Sequence, residues 1–229
     1  MTGPAQFLPA GRAHEAGGAV VVVDVLRAFT TAAYAFAGGA SAIWLVDTVG
    51  EALALKAERP GLLAMGEDGG RRVPGFDFAN SPWEVSQAEL DGRELVQRTS
   101  AGTRGMVAAS GAARRWATGL VCATATARAV AAAGLGAPAY VLTGDRGADH
   151  PGEDDRLTAE LVERVRTGEA IDADRTARAV ATSREAEVTL ALGPGHVDPR
   201  DIELAVRVDA FDFAMEARPT DGGLLLTAG

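Results

Sequence analysis

Val20-Val21-Val22-Val23-Asp24-Val25-Leu26-Arg27-Ala28-Phe29-Thr30-Thr31-Ala32-Ala33-Tyr34-Ala35-Phe36 is the stretch on which the fold turns. Four consecutive valines predict a strand that is apolar on both faces, and such a strand belongs in the middle of a parallel sheet. The run stops at Asp24, and the small residues from Thr30 to Phe36 predict a helix. A buried strand that ends on a carboxylate and gives way to a helix sets the pattern for the rest of the chain.

Working outward, the sequence predicts strands at Ala42 to Val46, Leu62 to Met65, Glu94 to Gln97, Trp116 to Val121 and Ala139 to Thr143. Between them lie helical windows. Thr48-Val49-Gly50-Glu51 has the spacing of a capping box and opens a helix to about Glu58. Ser81-Pro82-Trp83-Glu84 combines an N-cap, a proline at the first helical position and a capping glutamate. Further helices are predicted from Thr103 through Ala109, from Thr124 to Ala133, from Glu153 to Arg166, and after Asp198-Pro199. Short strands alternating with helices imply an α/β fold, a three-layer α/β/α arrangement with a parallel-rich mixed sheet. Phe211 to Ala217 and Leu224 to Leu226 are expected to pair as an antiparallel edge. One domain spanning residues 1–229 is the expected organisation, with two α/β halves, roughly 1–120 and 121–229, as the alternative division.

Composition narrows the function classes. The 229 residues include 47 alanines and 28 glycines, with 22 basic against 31 acidic side chains and a formal net charge of −9. The acidic balance argues against a general nucleic-acid binder, which normally carries a basic face. No stretch approaches the ~18 apolar residues of a membrane span, and the first nineteen residues carry no apolar run of the secretory kind. The single cysteine, Cys122, can form no intrachain disulfide, so a reducing cytoplasm is expected. Basic residues comprise 21 arginines and Lys56 alone. A GC-rich codon bias accounts for most of that excess and for the alanines.

In open α/β sheets ligands collect beyond the carboxyl ends of the strands. Asp24, Glu67, the run Thr99-Ser100-Ala101-Gly102-Thr103 and Thr143-Gly144-Asp145 each follow a predicted strand, so one crevice can collect them. Asp24 can ligate Mg²⁺ or attack phosphorus while Arg27 and helix amides hold phosphate oxygens. The plain alternative is an N-cap aspartate beside an exposed arginine. Glu67-Asp68-Gly69-Gly70-Arg71-Arg72 offers hard oxygen ligands and two guanidinium groups, or is a solvated turn. Gly75-Phe76-Asp77-Phe78-Ala79-Asn80-Ser81-Pro82 is either a packed loop or a place where Asp77 or Asn80 touches ligand. Glu153-Asp154-Asp155 suits a helix N-terminus electrostatically, and with Asp145 and His150 near in sequence it also suits metal or base chemistry. Thr99 to Thr103 lacks the lysine and spacing of a P-loop, and Gly134-Leu135-Gly136 lacks the third glycine of a dinucleotide fingerprint. His14, His150 and His196 have no zinc-ligand spacing.

Taken in order, these segments resemble the 2-phosphosulfolactate phosphatase (ComB-like) family. Asp24-Val25-Leu26-Arg27-Ala28-Phe29-Thr30-Thr31 resembles its D-V-L-R-A-T-T-T signature. Glu67 to Gly70 with Gly75 to Pro82 resembles E-R-G-G followed by G-F-D-x-G-N-S-P. Thr99 to Thr103 stands where the family has T-T-N-G-T, and Glu153-Asp154 stands like its later E-D pair. The resemblance spans roughly residues 18 to 215 and is most specific in the first half. It implies a family-specific, ComB-like α/β fold and a cytoplasmic Mg²⁺-dependent phosphatase acting on a small phosphorylated acid, with no nucleic-acid or membrane partner. The assembly is left open, a homodimer included.

By that resemblance, Asp24, Arg27 and Glu67 are the catalytic candidates, with Asp24 the leading nucleophile. Asp24, Glu67, Glu153 and Asp154 are the candidate metal-side carboxylates. Thr30, Thr31, Asn80, Ser100, Gly102 and Thr103 would bind substrate, with Arg71 or Arg104 meeting its sulfonate or carboxylate. Three positions depart from the family pattern: Phe29 for threonine, Asp68 for arginine and Ala101 for asparagine. They keep a second expectation alive, a paralogue without turnover that only binds a phosphorylated or carboxylated metabolite.

Overall fold

The computed structural model describes residues 4–147 and 150–229. Its strands are β1 (Gln6–Pro9), β2 (Gly18–Val23), β3 (Ala42–Leu45), β4 (Leu63–Gly66), β5 (Phe78–Ala79), β6 (Glu94–Arg98), β7 (Ala112–Thr118), β8 (Ala139–Leu142), β9 (Asp145–Gly147), β10 (His150–Pro151), β11 (Met215–Thr220) and β12 (Gly223–Ala228). The α-helices are α1 (Ala28–Ala37), α2 (Val49–Glu58), α3 (Pro82–Ser86), α4 (Gly102–Ala108), α5 (Ala123–Ala132), α6 (Glu153–Thr167), α7 (Ala173–Ala181), α8 (Arg184–Leu190) and α9 (Arg200–Ala205).

Ten strands form one mixed sheet in the order β1-β8-β2-β7-β11-β12-β3-β6-β4-β5. Two parallel blocks, β1-β8-β2-β7 and β3-β6-β4-β5, flank the antiparallel hairpin β11-β12. The hairpin expected at an edge therefore sits at the centre, and its first strand begins at Met215, not Phe211. Apolar burial decides this: Met215, Ala217 and Leu226 point into the main core, so the pair needs neighbours on both sides.

Side-chain alternation sorts the layers, since successive strand residues face opposite ways. Val20 and Val22 of β2 join Ile43, Leu45, Met65, Leu95, Ala117 and Val141 in one cluster with α1. Val21 and Val23 face the other side, where Trp116, Tyr140 and Leu142 pack with residues of α5 and α6. Trp44, Ala64 and Val96 form a third cluster with Ala52 of α2. The sheet thus curls around α1, whose residues from Ala28 to Phe36 are all buried. Small side chains let strands from both blocks approach it.

Local signals in the sequence hold at several ends. Thr48 accepts from the Glu51 amide while Glu51 bonds back to Thr48, completing the capping box of α2. Ser81 caps α3 through the Glu84 amide. The strand expected through Val121 instead stops at Thr118, and Leu120–Cys122 forms a 3₁₀ turn leading into α5. Strand β1 and helices α7 and α8 lay outside the sequence expectations.

Gly66 fixes the approach of β4 to β6. Its φ is +135°, and a Cβ there would stand 1.8 Å from the Arg98 carbonyl oxygen. Gly66→Ala is therefore expected to cost at least ~2 kcal/mol, read as a lowered urea midpoint. Gly11→Ala, where a Cβ meets open space, should stay within about 0.5 kcal/mol.

Candidate active site

Asp24 leaves the end of β2 and is held at once. Its Oδ1 accepts from the Ala28 amide at 2.9 Å, and its backbone carbonyl accepts from Phe29 N. The side chain is 6% exposed. Gly102, the first residue of α4, lies directly against it: a Cβ there would come within 2.7 Å of both Asp24 Oδ2 and Ala28 Cβ. The carboxyl ends of β2 and β6 are thus brought together.

Two acidic residues from α6 complete a buried cluster. Asp155 accepts from Val25 N at 3.0 Å, Gly144 N at 2.7 Å and Thr143 Oγ1 at 3.2 Å, so it ties the β2 and β8 loops together. Asp154 is equally buried, but its Oδ1 has no hydrogen-bond partner, and both carboxylate oxygens of Glu185 on α8 are also buried without one. Asp24, Asp154, Asp155, Glu185 and Arg184 line one pocket of about 160 Å³ with Ala101, Thr143 and Thr189. It adjoins a wider groove across Ala101 and Thr143, where Ser100, Arg104, Asp47 and Asp145 are found.

Burial pushes the Asp24 carboxyl up to about 6 and the neighbouring Glu67 charge adds to the rise, against the Ala28 hydrogen bond. Burial again, then the charges of Glu185 and Asp24, lift Asp154 to about 7. Asp155 is also held well above the usual carboxylate range by burial and by Asp154. Ionised together, these groups repel one another in a medium that screens poorly; a cation or added protons must balance them.

The other expected site residues have assigned places. Glu67 is buried and accepts from the Ser100 amide, Ser100 Oγ and Gly70 N, so it joins two loops and does not line the pocket. Glu153 is exposed and lines a separate groove with Phe7 and Leu157. The Thr30 hydroxyl donates to the Val25 carbonyl and Thr31 to that of Arg27, both inside the protein. Thr103 and Thr99 bond reciprocally between side chain and backbone. Asn80 is buried with Oδ1 unpartnered. Arg71 meets the His196 ring at 3.4 Å, and Arg104 pairs with Asp47 at 3.0 Å. Asp77 accepts from Ala64 N and pairs with Lys56. Asp68 pairs with Arg98, which also donates to the Glu67 carbonyl. The His150 side chain lies outside the described residues.

Arg27 is 3% exposed and donates to Asp201 at 2.8 Å and to the His196 carbonyl at 3.0 Å. Asp201, fully buried at the start of α9, also accepts from Ser81 Oγ, Trp83 N and Asp198 N. This hub, like Glu185 and Arg184, escaped sequence reasoning. The one local trace of it is an aspartate in the first turn of the helix predicted after Asp198-Pro199.

Among the described residues no three histidine, cysteine, aspartate or glutamate side chains form a ready metal cage. No helix among them is long and apolar enough to cross a membrane. The arrangement offers three buried aspartates, Asp24, Asp154 and Asp155, on one pocket with helix starts nearby, a setting suited to a small anionic ligand and a shared cation.

Comparison with known proteins points to a phosphatase family. A family model described as 2-phosphosulpholactate phosphatase matches residues 7–197. A "Probable 2-phosphosulfolactate phosphatase" of Bacillus subtilis (strain 168) is 34% identical over 200 residues, 86% of this chain and 86% of that one. Proteins of the same description from Carboxydothermus hydrogenoformans and Deinococcus radiodurans match shorter stretches. The first is 48% identical over 86 residues, 38% of this chain and 35% of its own. The second is 42% identical over 111 residues, 48% of this chain and 45% of its own. With the family model spanning most of the chain, this protein belongs to the 2-phosphosulfolactate phosphatase family, a family of phosphoric monoester hydrolases.

Proposed function

We propose that the chain hydrolyses 2-phosphosulfolactate to sulfolactate and inorganic phosphate, with Mg²⁺ as cofactor. The observation that carries this reading is the convergence of buried Asp24 and Asp154 on one small pocket, with Asp154 Oδ1 left without a donor. Mg²⁺ takes one or two carboxylates and completes its octahedron with water and phosphate oxygens. Asp24 and Asp154 supply that number, so the donor set fits a cation that shares its coordination with substrate. When bound, the ion neutralises phosphate charge and polarises the phosphoryl group.

Asp24 is the nucleophile in this reading. The Ala28 amide fixes one carboxylate oxygen, which leaves the other to attack phosphorus in line. A bond forms from Asp24 to phosphorus as the ester P–O bond breaks, and the departing alkoxide takes a proton from water to become sulfolactate. Water then cleaves the aspartyl phosphate and restores the carboxylate. Asp155 and Glu67 act as positioning residues, since their oxygens hold the loops that carry Asp24, Thr143 and Ser100. Arg27 likewise shapes the site from within its pair with Asp201.

Ala101 favours a second reading. It is the N-cap of α4 with no side-chain cap, and it forms pocket wall where the family pattern has asparagine. A turnover-deficient binder would result if that amide were needed for the chemistry. Phosphate release from a panel of phosphorylated small acids separates the two. Asp24→Asn should lower release at least ~10²-fold with unchanged circular dichroism, and EDTA should do the same. Release insensitive to both contradicts the mechanism; no release from any ester, combined with ligand-induced thermal stabilisation, favours the binder.

A pH dependence follows from the same carboxylates. Their folded-state pKa values lie above the ordinary 3.8, so their contribution to stability is complete below about pH 4. It is lost as pH rises through about 6 and 7. Metal-free protein should therefore lose Tm between pH 5 and pH 8, and Mg²⁺ should raise Tm more at pH 8 than at pH 5. In a double Asp24→Asn, Asp154→Asn variant the Mg²⁺ effect should vanish and the pH effect should shrink to what Asp155 still contributes. Equal Mg²⁺ shifts at the two pH values would contradict the assignment.

A further inference from the structure

Among the described residues, Arg184 is the only cationic side chain lining the pocket that holds Asp24, Asp154, Asp155 and Glu185. It is exposed, and among the described residues it has no hydrogen-bond or ion-pair partner. Other arginines near the site are engaged: Arg27 with Asp201, Arg98 with Asp68, Arg104 with Asp47 and Arg72 with Glu84. Arg71 meets His196 and lines neither the pocket nor the adjoining groove. The base of Arg184 is fixed, because Ser183 is buried, accepts from Ala186 N and donates to the Val180 carbonyl.

A substrate that carries a phosphate and a second anion faces a chain of net charge −9 and a pocket of four carboxylates. Asp24 and Asp154 with their cation take the phosphate end. The second anion then needs its own positive partner within a space of about 160 Å³, and a guanidinium fork matches the paired oxygens of a sulfonate or carboxylate. Resting on the phosphatase reading for the orientation of the phosphate, we propose that Arg184 is the specificity-determining residue that holds the substrate's sulfonate or carboxylate. Its guanidinium selects small phosphorylated acids over phosphate esters with no second charge.

Two measurements on wild type, Arg184→Gln and Arg184→Lys separate this inference from the reading beneath it. In steady-state kinetics, Arg184→Gln should raise KM for 2-phosphosulfolactate about 10–100-fold with kcat within about threefold, and Arg184→Lys should recover part of the loss. KM for p-nitrophenyl phosphate, which has no second anion, should not move. Calorimetric titration with sulfolactate, which has no phosphate, should show binding to wild type that Arg184→Gln weakens by a similar factor. If wild type releases no phosphate but Arg184→Gln still loses sulfolactate, the hydrolytic reading fails and the role of Arg184 stands. Sulfolactate binding that is absent in wild type or equal in the variant, or equal KM shifts for both esters, overturns the role.

Discussion

The burial of α1 from Ala28 to Phe36 is the constraint on which the rest of the molecule depends. A helix with no exposed face from Ala28 to Phe36 must be surrounded, and a sheet that curls is the means. Each strand-to-strand step turns by roughly 20–25°, so the five steps from β2 to β6 rotate the sheet by more than a right angle. The two parallel blocks run in opposite senses along the sheet, yet that rotation lets the carboxyl ends of β2, β4, β6 and β8 meet above the start of α1. Gly102 against Asp24 and Ser100 against Glu67 are the contacts that register the meeting.

Burying the start of α1 forces its polar residues to find partners or to remain charged at high cost. Arg27 meets Asp201, Thr30 and Thr31 turn back to backbone carbonyls, and Asp155 gathers three donors. These groups hold the loops in place. Asp24 and Asp154 are left facing the pocket with their charges incompletely balanced, and Glu185 adds to the imbalance. Asp155 is engaged while Asp154 Oδ1 and both Glu185 carboxylate oxygens lack a partner; that contrast, more than acidity alone, is why we propose that the ligand sits here.

Much of this was legible along the chain. The four valines announced a central strand, Thr48 with Glu51 and Ser81 with Glu84 announced helix starts, and the segment around Asp24 carried the family resemblance. Orientation was not legible. Glu153, Asp154 and Asp155 are consecutive, and residues on a helix point about 100° apart, so only the inward-facing pair reaches Asp24. The hydroxyls of Thr30 and Thr31 offered themselves for phosphate, but short-range bonds to the backbone absorb them. Asp201 and Asp155 act on residues 174 and 130 positions away, which no local pattern encodes. The tail hairpin read as an edge; its central place follows from the core residues it shares with both blocks.

We propose that the curled sheet makes Asp24 the reacting carboxylate, with Asp154 beside it. A crystal structure of the protein grown with Mg²⁺ and beryllium fluoride, a mimic of an aspartyl phosphate, tests it directly. An adduct is expected on the Asp24 carboxylate, with the cation held by Asp24 and Asp154. An adduct or cation at Glu67, or in the Arg104 groove with Asp24 free, would contradict it.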